Sequence, residues 1–126
     1  SDAIINLATT KVSDLEDWRN GFKAFGRILR KDGNVIGIRE YKDANEIEKN
    51  IKEVNAGSYV FDAKWLWKNI KKIKNENAQK EYYLTDLIKI ATEEKVRIKS
   101  IDIDAREALG ANSKEELDTL EKFIQH

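Results

Sequence analysis

Few residues of this 126-residue sequence have the types and spacing of ready-made chemistry. Asp102 and Asp104 alternate onto one face of an extended segment and could share a hard cation, but no third ligand lies nearby and they read as a solvated strand end. Lys68, Lys71, Lys72 and Lys74 make a basic run able to meet phosphate, yet beside an apolar helical stripe they read as the solvated face. Trp65 and Trp67 could stack on a sugar ring, and on the same helix they read as core. His126 is the only histidine, which leaves no His-based triad and no two-His metal site. With no cysteine there is no thiol nucleophile, thiolate ligand or disulfide, and the dispersed glycines build neither a phosphate-cradling loop nor a dinucleotide fingerprint.

Stepping from residues to the chain, the length fits one domain, and 40% apolar residues are enough for a core without disulfide or metal. Charged residues make up 37% of the chain, and no apolar run approaches the roughly 20 residues a bilayer crossing needs. Lys and Arg total 23 against 23 Asp and Glu, so no net field draws in nucleic acid or an anionic membrane. The expectations are a cytoplasmic protein without nucleic-acid or membrane partners. Ser1, with no Pro and no Met in the sequence, reads as a processed or recombinant start of a longer parent, and the first residues lack a signal peptide's pattern.

The elements that must position any site follow from periodicity. Ala3 to Val12 is rich in β-branched and aliphatic residues and predicts a buried strand, followed by a helical turn with Ser13 and Glu16 at capping-box spacing. Phe25 to Arg30 and Val35 to Tyr41 predict a hairpin around Lys31-Asp32-Gly33-Asn34, with Gly33 at positive φ. Asp43, with Glu46 three residues on, starts a short helix to Asn50; strands follow at Ile51 to Asn55 and Ser58 to Phe61. Asp62 caps a helix burying Leu66, Ile70 and Ile73, and Thr85 caps one burying Leu87, Ile88 and Ala91. Lys95 to Asp104 returns as strand, and capping boxes at Asp104/Glu107 and Ser113/Glu116 precede a last helix with Leu117, Leu120 and Ile124 inward. Strands alternating with helices give an α/β layer protein with one antiparallel hairpin.

Four segments in order add a function to this frame: AFGRILR (24–30) with IREYKDA (38–44), EVNAGSYVF (53–61), NAQKEYYLTDLI (77–88) and GANSKEEL (110–117). Together they resemble the second half of the pyrophosphorylase domain of bacterial N-acetylglucosamine-1-phosphate uridyltransferases, a sugar nucleotidyltransferase family. The Asn-x-Gln-x-Glu-Tyr-Tyr-Leu-Thr-Asp stretch is the most specific part. The resemblance implies a partial Rossmann-like nucleotidyltransferase sheet with flanking helices, and uridylyl transfer from UTP to a sugar 1-phosphate with Mg²⁺ at the phosphates.

By the same resemblance, Gly26 brings backbone close to the sugar, Glu40 accepts from sugar hydroxyls, Asn55 supplies an amide, and Glu81, Tyr83 and Thr85 wall the N-acetyl sugar. Asn112 matches the asparagine that helps hold Mg²⁺. Its partner aspartate, the glycine-rich UTP loop and the uracil-reading segments belong to a first half that this sequence does not contain. The chain alone is therefore expected to bind N-acetylglucosamine 1-phosphate or UDP-N-acetylglucosamine without turnover, with a missing N-terminal half or a homodimer as partner. The alternative is a non-catalytic sugar-nucleotide-binding or assembly domain. The sequence departs from the family at Phe25 for Tyr, at Lys80 for Gly and in a longer insert at 14–22. In a homodimer the Ile4 to Val12 strand is the expected contact, as an edge left open by the missing half.

Overall fold

A computed structural model describes residues 3–108. Five strands form one sheet in the order β3-β2-β4-β1-β5: β1 Ile5–Lys11, β2 Arg27–Lys31, β3 Asn34–Arg39, β4 Glu53–Phe61 and β5 Ile98–Asp102. It is a mixed α/β sheet, in which β1 pairs antiparallel with β4 and parallel with β5, while β2 is antiparallel to both β3 and β4. Three short helices complete the layer, α1 Glu46–Lys49, α2 Ala63–Asn69 and α3 Asp86–Glu93, and no helix among the described residues is long and apolar enough to cross a membrane.

The hairpin forms where the turn residues require it. Asp32 and Gly33 both have positive φ (52° and 82°), the pair of conformations whose twist matches two antiparallel strands. The register shift that sets Leu29 opposite Gly37 but Arg30 opposite Val35 lets both Val35 and Ile38 reach the main core with Ile5, Leu7, Ile28 and Trp65, where Leu87, Ile88 and Ala91 of α3 close over them. A smaller cluster of Val12, Phe22, Val54 and Ala108 packs beneath the 3-10 segment Asp17–Ala24.

The backbone seam between the hairpin and the rest of the sheet is short, Arg27 opposite Val54 and the Asn55 N–H donating to the Gly26 carbonyl at 2.8 Å. Side chains reinforce it. Arg30 makes a two-pronged bridge to Glu53 (2.7 and 2.8 Å) and also donates to Ser100, while Thr9 donates to Glu53, so the carboxylate ties β1, β2 and β4 and the guanidinium adds β5. Arg27 is buried without an acidic partner and donates instead to the carbonyls of Phe22, Lys23, Phe25 and Lys49, with Tyr41 under its guanidinium.

Several expectations are corrected. The Ile4 to Val12 segment is an interior strand, paired on both sides, and the sheet edges are β3 and β5. The two strands expected at 51–61 are one, because Ala56, Gly57 and Ser58 bulge opposite Ala8 and pairing resumes beyond them. The first helical turn is stapled by Asp14, whose carboxylate accepts from the Glu16 N–H and from Arg19, rather than by Ser13. At α1 the cap is Asn45, in a reciprocal box with Glu48, and not Asp43. On α2, Asp62 does cap through the Trp65 N–H, but Trp65 and Asn69 are the buried residues, Ile70 is exposed, and Trp67, two residues from Trp65 and so on the opposite face, is 70% exposed. The Ser113/Glu116 box and the helix with Leu117, Leu120 and Ile124 lie outside the described residues.

Candidate functional site

Four of the sequence-predicted residues, Gly26, Glu40, Asn55 and Thr85, meet where β2, the end of β3, β4 and the start of α3 come together. Glu40, just after β3, is half-buried and accepts a 2.9 Å hydrogen bond from the Thr85 hydroxyl. Thr85 stands at the cap position of α3, yet its side chain makes no cap bond; the hydroxyl is committed to Glu40. Gly26 lies directly below: a Cβ there would sit 2.8 Å from the Ile38 Cγ2 and 3.5 Å from the Glu40 Oε1, so only glycine lets the strands close under the carboxylate. Through its carbonyl Gly26 also fixes the Asn55 backbone.

The Asn55 side chain is held at both ends. Its Oδ1 accepts from the Gly57 N–H at 3.0 Å, and its Nδ2 donates to the hydroxyl of Tyr59. Burial pushes the Tyr59 phenol up to about 12, with the Glu40 carboxylate adding to the effect and Asn55 opposing it, so the phenol keeps its proton. Glu40 itself is raised above the usual carboxylate range, first by burial and then by Asp43 and Asp86, with Thr85 pulling the other way. Asp86 is raised by burial and by Asp43, against Lys89 and Arg39. Such a crowd of half-buried acids favours donors arriving from a ligand, for instance sugar hydroxyls.

The loop before α3 shows what its motif residues do. Asn77 accepts from the N–H groups of Gln79 and Glu81 and donates to the Glu81 carbonyl at 2.6 Å, which closes the loop on itself. Asp43 reaches across from the 3-10 turn Tyr41–Asp43 to take the Ala78 N–H at 2.7 Å, while its other oxygen is buried with no hydrogen-bond partner among the described residues. Gln79 donates to the Tyr83 hydroxyl, whose pKa burial and the neighbouring Asp43 and Glu40 raise. Lys80 has a φ of 53°, the left-handed conformation that explains a family glycine at this position. Glu81 enters only through its backbone; its side chain is exposed.

A cleft of about 390 Å³ opens beside Glu40, Asp43, Tyr83 and Asp86 over Ile38, Ile73 and Ile90, with Arg39, Lys72, Lys74 and Lys89 among its lining residues. Asn112 lies outside the described residues. Among the described residues no group of three or more Asp, Glu, His or Cys is placed to hold a metal ion. Sequence reasoning missed Tyr59 and the roles of Asp43 and Asn77. All three stood inside matched motifs, but nothing in the sequence signalled the role of Tyr59, because its meeting with Asn55 depends on the bulge.

No family model matches the chain. Among curated proteins it is 43% identical over 125 residues, 99% of its length, to the bifunctional protein GlmU of Campylobacter jejuni, and 53% identical over 101 residues to that of Thermosipho africanus. It spans 28% of the length of the first of these relatives and 21% of the second. Among solved structures it aligns over 80% of its length, with a TM-score of 0.52 and 19% identity, to 35% of a chain described as a glucose-1-phosphate thymidylyltransferase of Bacillus anthracis. Along nearly its whole length the chain is therefore similar to a segment of bifunctional GlmU proteins, and it shares its fold with part of a nucleotidyltransferase.

Proposed function

We propose that this chain is the C-terminal, sugar-binding half of a sugar-1-phosphate uridylyltransferase domain and that it takes N-acetylglucosamine 1-phosphate or UDP-N-acetylglucosamine. The observation that carries the reading is the convergence of Gly26, Glu40, Asn55 and Thr85, residues up to 59 positions apart, through the Glu40–Thr85 bond and the Gly26–Asn55 backbone bond. Glu40 accepts from sugar hydroxyls, Asn55 supplies an amide, the bare Gly26 lets Ile38 and Glu40 close against its backbone, and Tyr83 with the 77–81 loop walls the N-acetyl side.

In the reaction an oxygen of the sugar phosphate attacks the α-phosphorus of UTP in line, a new P–O bond forms, and pyrophosphate leaves with the electrons of the bond that breaks. The chain needs no acid or base for this. Holding the acceptor in line is its contribution, and such alignment is worth roughly 7–11 kcal/mol only when both reactants are bound. The uridine and triphosphate side falls to residues beyond this chain, a preceding half or a second polypeptide. Mg²⁺ belongs to the proposal only through Asn112; the described acids form no cation cage, and no step is derived through the metal. The alternative reading is a non-catalytic sugar-nucleotide-binding or assembly domain.

Titration of ¹⁵N-labelled chain with UDP-N-acetylglucosamine tests the site. Saturable shifts at the Gly26, Asn55 and Thr85 amides are expected, whereas shifts confined to other surfaces would refute it. Pyrophosphate release that appears only when an N-terminal half is added selects the enzyme over the non-catalytic domain.

A further inference from the structure

Asn55 and Tyr59 are four residues apart on β4, a separation of about 13 Å in a regular strand at roughly 3.3 Å per residue. The bulge at Ala56, Gly57 and Ser58 removes that distance. Tyr59 pairs with Leu7 and Asn55 with Thr9, so two residues of β1 match four of β4 and the side chains of Asn55 and Tyr59 are brought within a hydrogen bond. The bulge also turns the Gly57 N–H, at a φ of 82°, onto the Asn55 Oδ1.

We propose that Tyr59 is a positioning residue of the sugar site: its hydroxyl and the Gly57 N–H lock the Asn55 amide in one orientation, which leaves its second Nδ2 hydrogen to donate to the ligand. This rests on the reading that Glu40 and Asn55 hold the sugar. The orientation follows from donor and acceptor count. A backbone N–H can only donate, so the atom facing Gly57 is the amide oxygen and the atom facing Tyr59 is the nitrogen. One Nδ2 hydrogen is used on Tyr59, and the second is what remains for a ligand. The Tyr59 hydroxyl, accepting from Asn55, keeps its own hydrogen, and no protein acceptor takes it among the described residues. Burial keeps that hydroxyl protonated. Glu40, ionised, can only accept. The site therefore recognises a ligand that presents a hydroxyl donor to Glu40 and an acceptor oxygen to Asn55, as neighbouring sugar oxygens do.

The test is a double-mutant cycle on the 126-residue chain, with UDP-N-acetylglucosamine binding measured by calorimetry and folding by urea titration. Tyr59→Phe keeps the ring and removes the hydroxyl. It should weaken binding about five- to tenfold, the size of one neutral hydrogen bond, and shift one of the two Asn55 side-chain amide hydrogens in the NMR spectrum. In an Asn55→Ala background the same change should have no further effect on binding, an outcome that a merely structural role does not produce. Asn55→Asp, acceptor-only in place of a donor, should bind worse than Asn55→Ala. Unchanged affinity in Tyr59→Phe, additive losses across the cycle, or wild-type affinity in Asn55→Asp each overturns the Tyr59 role while wild-type binding still upholds the sugar site. Absence of any binding by the wild type overturns both.

Discussion

At the residue scale, Glu40 carries opposite consequences for binding and for stability. Its pKa is raised, chiefly by burial, so the folded state holds the proton more tightly than the unfolded state. The sign follows: stability is full at low pH and is lost as pH climbs from the ordinary glutamate value to the raised one. Glu40→Gln keeps an acceptor for Thr85 and removes the repulsion from Asp43 and Asp86. It should gain about 0.5–1 kcal/mol at neutral pH while binding sugar nucleotide more weakly, as urea titrations at several pH values and calorimetry would report. A tighter-binding Glu40→Gln would contradict the role of the charge. Lys80 makes a second case. Relief of its left-handed backbone predicts that Lys80→Gly gains about 0.5–1 kcal/mol, whereas Lys64→Gly on α2 loses about that much. Thermal unfolding of both variants checks the contrast. Motif spacing made Glu40 and Thr85 legible in the sequence, because each keeps its place in a matched segment. Tyr59 also stands in a matched segment, but its role was not legible, since its pairing with Asn55 depends on the backbone irregularity between them.

At the element scale, the hairpin that carries Gly26 and leads to Glu40 is tied to the rest of the sheet as much by Glu53 as by backbone. Arg30, then Thr9, lower the Glu53 pKa against the cost of burial. A lowered acid pKa contributes stability that is present above the ordinary value and is lost as pH falls through the lowered one, the reverse of Glu40. Glu53→Gln should therefore lose about 1–3 kcal/mol at neutral pH, with the gap to wild type closing in acid; a constant gap in urea midpoints from neutral to acid pH would contradict this. Gly26→Ala should weaken the same junction, since Ile38 must move to admit a methyl group. Local chemistry made the Asp32-Gly33 turn and the Asp62 cap readable. Sheet order was not readable, because it depends on pairings between segments far apart in the chain, such as Thr9 with Asn55, and so the edge expected at β1 is an interior strand. Trp65 and Trp67 could not both be core, because residues two apart on a helix lie on opposite faces, and α2 turns Trp65 inward.

At the scale of the whole molecule, the chain spans 28% of the length of its Campylobacter relative, and among the described residues the sheet edges, where a further strand would pair, are β3 and β5. We propose that any self-association of the isolated chain runs through β5, whose Ile101 is 49% exposed, and that Ile101→Lys lowers the dimer fraction in concentration-dependent light scattering. A strictly monomeric mass at every concentration would refute the association, and an Ile101→Lys dimer as stable as wild type would move it elsewhere. The central claim is that the molecule holds a sugar through the carboxylate at the end of β3. Calorimetric titration of UDP-N-acetylglucosamine into wild type and Glu40→Ala tests it most directly. Loss of about 1–3 kcal/mol of binding free energy in a folded Glu40→Ala chain is the predicted result, and equal affinities would contradict the account.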